Sequence, residues 1–357
     1  MSPQLAMAGL ILFAGALLVL PLVPAFLELQ RKSDALPLSV IQQHAGEIRH
    51  FADGFRSYIK QLEPALLQSV SSGEATTGVL PEGTQYLVLG RGDDALRLPL
   101  GAQDEPCPVL IAASTDLLLP SDTTFAKDIY AGGRFIGGTK NKYRAILGEK
   151  DVHLSAASSV MRWVHAVGEF RADPGCNLYG RISSDRRICL QRDCTFQRLN
   201  APCVEIGQAM GTELLPLTNL DVASAEAQSP PRLLHDGNFE IPAGEIFRGN
   251  LVVRGKLRIG QGSRVYGSVK SDGDMLLDPG ARVEGSLISA SQMQIGSNCA
   301  IHGPVIAERL MLIAAGTRCG TSEIPTTVSA PWIEVEEGVV VFGTLWAREQ
   351  GQVVTKL

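Results

Sequence analysis

The chain has 357 residues, enough for two or three domains, with 19% charged residues and a net charge of −5. This balance gives no electrostatic case for nucleic acid, which favours a basic surface. Aromatic residues make up 6% of the chain against 37 glycines, a composition that suits narrow aliphatic ladders with many turns better than a large mixed core.

Residues 1–4 carry no charged side chain, and residues 5–27 form an uncharged, largely Leu, Ala, Val, Ile and Phe run. About 20 apolar residues cross a bilayer, so the run predicts a transmembrane helix. A cleaved signal peptide would need a basic start and a shorter apolar run. Arg31 and Lys32 follow the span and no basic residue precedes it. That places residues 1–4 outside and the C-terminal bulk in the cytoplasm, as a single-pass protein of the inner membrane.

Residues 37–70 come next. Ile41, Ala45, Ile48, Ala52, Phe55, Ile59 and Leu62 are spaced alternately by four and three, an amphipathic helix. Its stripe suits a short coiled coil, the bilayer surface or the chain's own domain; the two alanines favour one of the last two. Pro64 ends or kinks it. Residues 71–78 read as a linker, and 79–116 as short strands or an N-terminal cap, with strands over 86–89 and 96–100.

From Leu117 the chain repeats. Apolar-x-apolar pairs start at Leu117, Phe135, Val152, Phe170 and Ile188, and Val204 begins one more. After a polar connection at 208–238, starts recur at Phe239, Leu257, Met275, Met293, Met311 and Ile333. The spacing there is 18 residues except for the last, 22, an insertion placed around Pro325. Eight residues on stand Phe247, Val265, Val283, Ile301, Cys319 and Val341. Twelve on stand Leu251, Val269, Leu287, Val305, Glu323 and Leu345, with Ile324 a substitute for Glu323. In the first array the twelfth slot reads Ile129, Leu147, Val164 and Ile182, with Leu199 one short.

Five on from each start of the second array stand Gly244, Gly262, Gly280, Asn298, Gly316 and Gly338, the residues that enter the left-handed region most cheaply. Ten on stand Gly249, Gly267, Gly285, Gly303, Thr321 and Gly343. The first array has Asp122, Lys140, Ala157, Gly175 and Asp193 at the fifth position, so it is expected to be less regular.

Short alternating runs that repeat in phase and cannot bury their own apolar faces predict an all-β parallel β-helix, coil stacked on coil. It occupies residues 117–207 and 239–347, as one column or two. The tail, 348–357, has too little apolar material to cover the last coil, so the C-terminal end is expected to be open and to invite a copy or a partner protein. Residues 79–113 are expected to cover the other end.

Catalytic chemistry finds little support. The histidines, His44, His50, His153, His165, His235 and His302, never share a slot in adjacent coils, as the zinc or base histidines of left-handed hexapeptide enzymes would. Asp272, Asp274 and Asp278 read as solvated corners. The seven cysteines, Cys107, Cys176, Cys189, Cys194, Cys203, Cys299 and Cys319, contain no CxxC pair. They read as reduced, mostly buried thiols in a reducing compartment. No catalytic, cofactor-binding or metal-binding residue is assigned, and the chain reads as a non-enzyme.

Residues 257–269, LRIGQGSRVYGSV, and their echo at 277–287, LDPGARVEGSL, resemble the bactofilin family of polymer-forming bacterial cytoskeletal proteins. The likeness is specific over 239–307, loose to 347, and only architectural over 117–204. It implies a right-handed β-helix and end-to-end polymerisation without nucleotide. It also implies a scaffold role at the membrane, localising envelope, polysaccharide or motility machinery. The membrane span, the helix and the second array depart from that family, and the added array could occlude one end of the stack. A non-polymerising adaptor of an envelope or exopolysaccharide system is the alternative, and a hexapeptide acyltransferase-like enzyme the alternative of another class.

Overall fold

A computed structural model describes residues 49–90, 105–207 and 232–356, together with Met7, Phe13, Leu20 and Val23. The chain divides into two compact units, Met1–Glu47 and Ile48–Leu357. Met7, Phe13 and Val23 are helical and, like Leu20, exposed. Otherwise the span expected over 5–27 lies outside the described residues, as do the helix start at 37–48 and the strand expected at 96–100. Among the described residues no helix is long and apolar enough to cross a membrane.

In the second unit, α1 (His50–Ile59) passes through a tight turn at Lys60–Leu62 into α2 (Glu63–Ser72). Pro64 sits in the first turn of α2, where its missing N–H costs nothing, so the break falls just before it. The expected stripe is buried at Ala52, Phe55, Ile59 and Leu62, and it packs on the chain's own β-structure beside Val88, Ala145 and Leu147. Phe55 meets Trp163 edge-on at 5.6 Å. Arg56 donates to both carboxylate oxygens of Glu149, at 2.7 and 3.0 Å. The linker expected at 71–78 is not one. Ser71 and Ser72 finish α2, Gly73 caps it at φ 72°, and Thr76–Val79 forms a strand antiparallel to Gln85–Leu89.

The rest is a β-solenoid of about twelve coils. At ~4.8 Å per coil the column is roughly 55 Å long. Every expected start aligns with the next: Leu117 with Phe135, Phe135 with Val152, Val152 with Phe170, Phe170 with Ile188 and Ile188 with Val204. The second array does the same from Phe239 to Ile333. Inward residues form unbroken ladders that are almost wholly buried.

Two slots differ from expectation, and so do the bounds of the second array. In the coil that starts at Phe135, Ile146 and not Leu147 pairs with Ile129, because this coil is one residue short before its third strand. Leu147 turns outward and lies under α1. In the coil that starts at Met311, Val328 pairs with Val305, so the insertion precedes the third strand and loops out. Ile324 is exposed there and does not fill the ladder. The second array also begins earlier and ends later than expected, with strands at Arg232–His235 and Val340–Val354. Residues 208–231 of the expected connection lie outside the described residues.

The first array is less regular in spacing, as expected, with intervals of 17 residues from Phe135 to Val152 and 16 from Ile188 to Val204 and register shifts beside Val160 and Leu178, but its corner column is uniform. Asp122, Lys140, Ala157 and Asp193 all adopt φ near 60°, as Gly175 does, and Asn298 matches them in the second array. Stacking thus imposes the left-handed corner whatever the side chain. A non-glycine pays about 1 kcal/mol for it, so Ala157→Gly is expected to raise unfolding stability by about that much in urea denaturation. The tenth-position glycines serve a different need. A Cβ on Gly285 or Gly303 would lie 2.4 or 2.6 Å from backbone atoms of the glycine one coil below.

One further column went unread in the sequence. Six residues after most starts a small side chain is buried beside the corner, as at Asn141, Ser158, Cys176, Cys194, Ser263, Ala281, Cys299 and Thr317, whereas after Phe239 the position holds the exposed Glu245. Most bond a backbone carbonyl of an adjacent coil, as in Cys176 Sγ to Ser155 O at 3.4 Å, Cys194 Sγ to Asp173 O at 3.3 Å and Thr317 Oγ1 to Gly296 O at 2.9 Å. The column explains three of the seven cysteines as small corner fillers.

Candidate assembly interface

Two coil ends of this chain meet, and they are not the ends expected to be free. The strand Thr195–Ile206, last in the first array, pairs antiparallel with Val340–Val354, last in the second. The two arrays are therefore one column whose halves run in opposite directions. All three strand positions of a coil take part. Leu199 faces Leu345, third strand to third strand. Val204 faces Val341 and Phe196 faces Gly351, so first and second strands exchange partners. That exchange follows from reversing the winding sense where two like coils meet end to end.

The junction is dry and specific. Phe196, Leu199, Val204, Val341, Leu345 and Val353 are all buried. Gly351 occupies a start slot because the Phe196 ring fills the space its side chain would need; a Cβ there would lie 2.3 Å from the ring. Asn200 Nδ2 donates to Thr344 Oγ1 at 2.8 Å, and the Arg198 guanidinium lies 5.2 Å from the Trp346 ring centroid. The expected open C-terminal end is thus covered by the chain itself. The expected polar tail is a strand whose outward Glu349, Gln350 and Gln352 are exposed and whose inward Gly351 and Val353 are buried.

At the start of the first array the inward residues Cys107, Ile111, Leu117 and Phe125 are buried. Strand Gln85–Leu89 lies parallel on Leu110–Ala113 and bears the antiparallel Thr76–Val79 on its other edge.

The start of the second array is different. Arg232–His235, Phe239–Ile241 and Ile246–Arg248 each pair with the next coil, through Leu251, Leu257 and Val265. Among the described residues none of the three has a partner on its other edge. Leu233 is 41% exposed, whereas Leu251 beneath it is fully buried. Phe239 and Phe247 are only half-buried, while Leu257 and Val265 beneath them are buried. One inward side chain from each of the three strand positions therefore opens to solvent, a triangle of apolar surface with unpaired strand edges. A signal for it lay in the sequence: Phe239 and Phe247 are the sole aromatic residues in the first and second ladders of the second array.

A groove of about 530 Å³ adjoins this end, lined by Phe239, Glu240, Arg258, Leu276, Gln294 and Leu312 among others. Its charges are paired: Arg258 with Asp278 at 3.0 Å and Lys256 with Asp274 at 3.0 Å. Ser291 and Lys256 hold the Asp274 carboxyl below the usual range. Asp272 lies 4.0 Å from Lys270. The three aspartates read as corners each have a cation of their own.

The described histidines are scattered. His153 lies 3.0 Å from Asp173, His302 pairs with Glu284, and His235 bonds the Asn238 carbonyl. His165 is buried beneath α1, 2.9 Å from Ser183 Oγ; burial lowers its pKa, and Asp185 opposes that. Among the described residues no cluster of His, Cys, Asp or Glu could hold a metal ion. All seven cysteines are free, and burial pushes the Cys299 and Cys319 thiols up to about 11 and about 12. Among the described residues the start of the second array thus presents apolar surface beside unpaired strand edges. Comparison with protein-family models, curated proteins and solved structures finds no match to this chain.

Proposed function

We propose that the chain is a membrane-anchored scaffold of bactofilin type, which self-assembles or docks partner proteins at the cytoplasmic face of the bacterial inner membrane. Its role is to organise envelope, polysaccharide or motility machinery. The observation that carries this reading is the apolar triangle of Leu233, Phe239 and Phe247 at the start of the second array, left open while the other coil ends are covered. A stable column with one adhesive end is a building element. The exposed apolar residues Met7, Phe13, Leu20 and Val23 within 5–27 support the anchor, and Arg31 and Lys32 support its orientation.

Expression of the full chain in a bacterial host tests the reading. The chain is expected in the membrane fraction after a high-salt wash, with a C-terminal reporter protected from external protease, and crosslinked to itself by a short amine-reactive reagent. Recovery as a soluble, uncrosslinked monomer overturns it.

A further inference from the structure

We propose that the open end of the second array takes the same end of a second copy of this chain, about a two-fold axis, so that assembly stops at a closed dimer. This rests on the reading of the chain as self-associating and fixes how it does so.

The junction inside the chain shows how two coil ends of this sequence join: antiparallel, third strand on third strand, first strand on second. The open end presents the same three positions, Leu233 on the third strand, Phe239 on the first and Phe247 on the second. Applied there, the rule sets Leu233 against Leu233 of the second copy across the axis, and Phe239 against its Phe247. Rings stack well in these ladders, as Phe125 and Tyr143 do at 5.3 Å. The register also sets Glu240 diagonally opposite Arg248 of the second copy, within reach of an ion pair. The surface thus complements itself in shape, edge hydrogen bonds and charge, as an isologous contact requires.

Closure follows from the other ends. The C-terminal end of each array is spent on the internal junction. At the start of the first array the inward residues are buried and the strand Thr76–Val79 runs antiparallel on the edge. Among the described residues a head-to-tail contact has no second open triangle to use, so the proposed pairing closes without growing a filament.

The test is the mass of the full chain in mild detergent, by sedimentation equilibrium with the detergent density-matched. Wild type is expected to be a dimer. Phe239→Glu and Phe247→Glu place a carboxylate on the triangle and are expected to weaken dimerisation about 100-fold or more, while circular dichroism and the thermal midpoint stay near wild type because both side chains are already half exposed. Leu233→Cys is expected to give a disulfide-linked dimer on mild oxidation, and Leu276→Cys, on the outer face, none. Filaments in the wild type, or a dimer that the two Glu variants leave intact, overturn the closed pairing and leave self-assembly standing. A wild-type monomer with no Leu233→Cys crosslink overturns both.

Discussion

Gly351→Val is expected to part the two halves of the column. The new side chain would enter the space held by the Phe196 ring, which is buried and flanked by paired strands on both sides. Overpacking of this kind costs about 3 kcal/mol where the backbone cannot yield, and here yielding means breaking the antiparallel pairing that joins the arrays. Urea denaturation should show one cooperative transition in the wild type. In the variant it should show an earlier first step, with new protease cleavage near residues 340–354. Gln352→Val, one residue on and pointing to solvent, should change stability by less than about 0.5 kcal/mol. A Gly351→Val chain as stable as wild type would mean that the ring does not hold that space in solution.

Val283→Arg is the second large effect. Val283 is 1% exposed and sits in a ladder between Val265 and Ile301. An arginine there must bury an unpaired charge or turn the strand out, at a cost of order 5 kcal/mol. In a stacked column that cost falls on both neighbouring interfaces. The expected outcome is loss of cooperative unfolding for the second array and a largely insoluble product. Glu284→Gln, which faces outward and keeps a hydrogen-bonding partner for His302, should cost less than about 1 kcal/mol. Equal damage from both would mean that the inward and outward faces are exchanged.

The ladders were legible in the sequence because the contacts that stabilise a solenoid join residues one coil apart, and that interval is written directly as a repeat. Leu117, Phe135, Val152 and Phe170 could be aligned although the coil from Phe135 to Val152 is one residue short. Leu147 could not be placed, because a deletion inside a coil leaves two adjacent aliphatics and only the backbone decides which turns inward. The corner column misled in the other direction. Glycine marks a left-handed residue where it is present, but Lys140 and Ala157 show that stacking can hold an ordinary residue there. The junction was illegible for a different reason. Its contacts reverse direction and exchange strand positions, so no periodic search brings Phe196 to Gly351. Its apparent tail looked polar because the outward-facing half of the strand, Glu349, Gln350 and Gln352, faces water.

The antiparallel junction also sets the order of events while the chain is being made. Asn200 and Thr344, which bond across it, lie 144 residues apart. At ~5–20 residues per second the ribosome needs roughly 7–30 s to deliver the second after the first. Throughout that interval the finished first half presents the bare edge at Phe196 and Leu199 to the crowded surroundings of the nascent chain. Synthesis speed over residues 207–340, and any chaperone that shields a raw strand edge, are therefore expected to affect the yield of this protein.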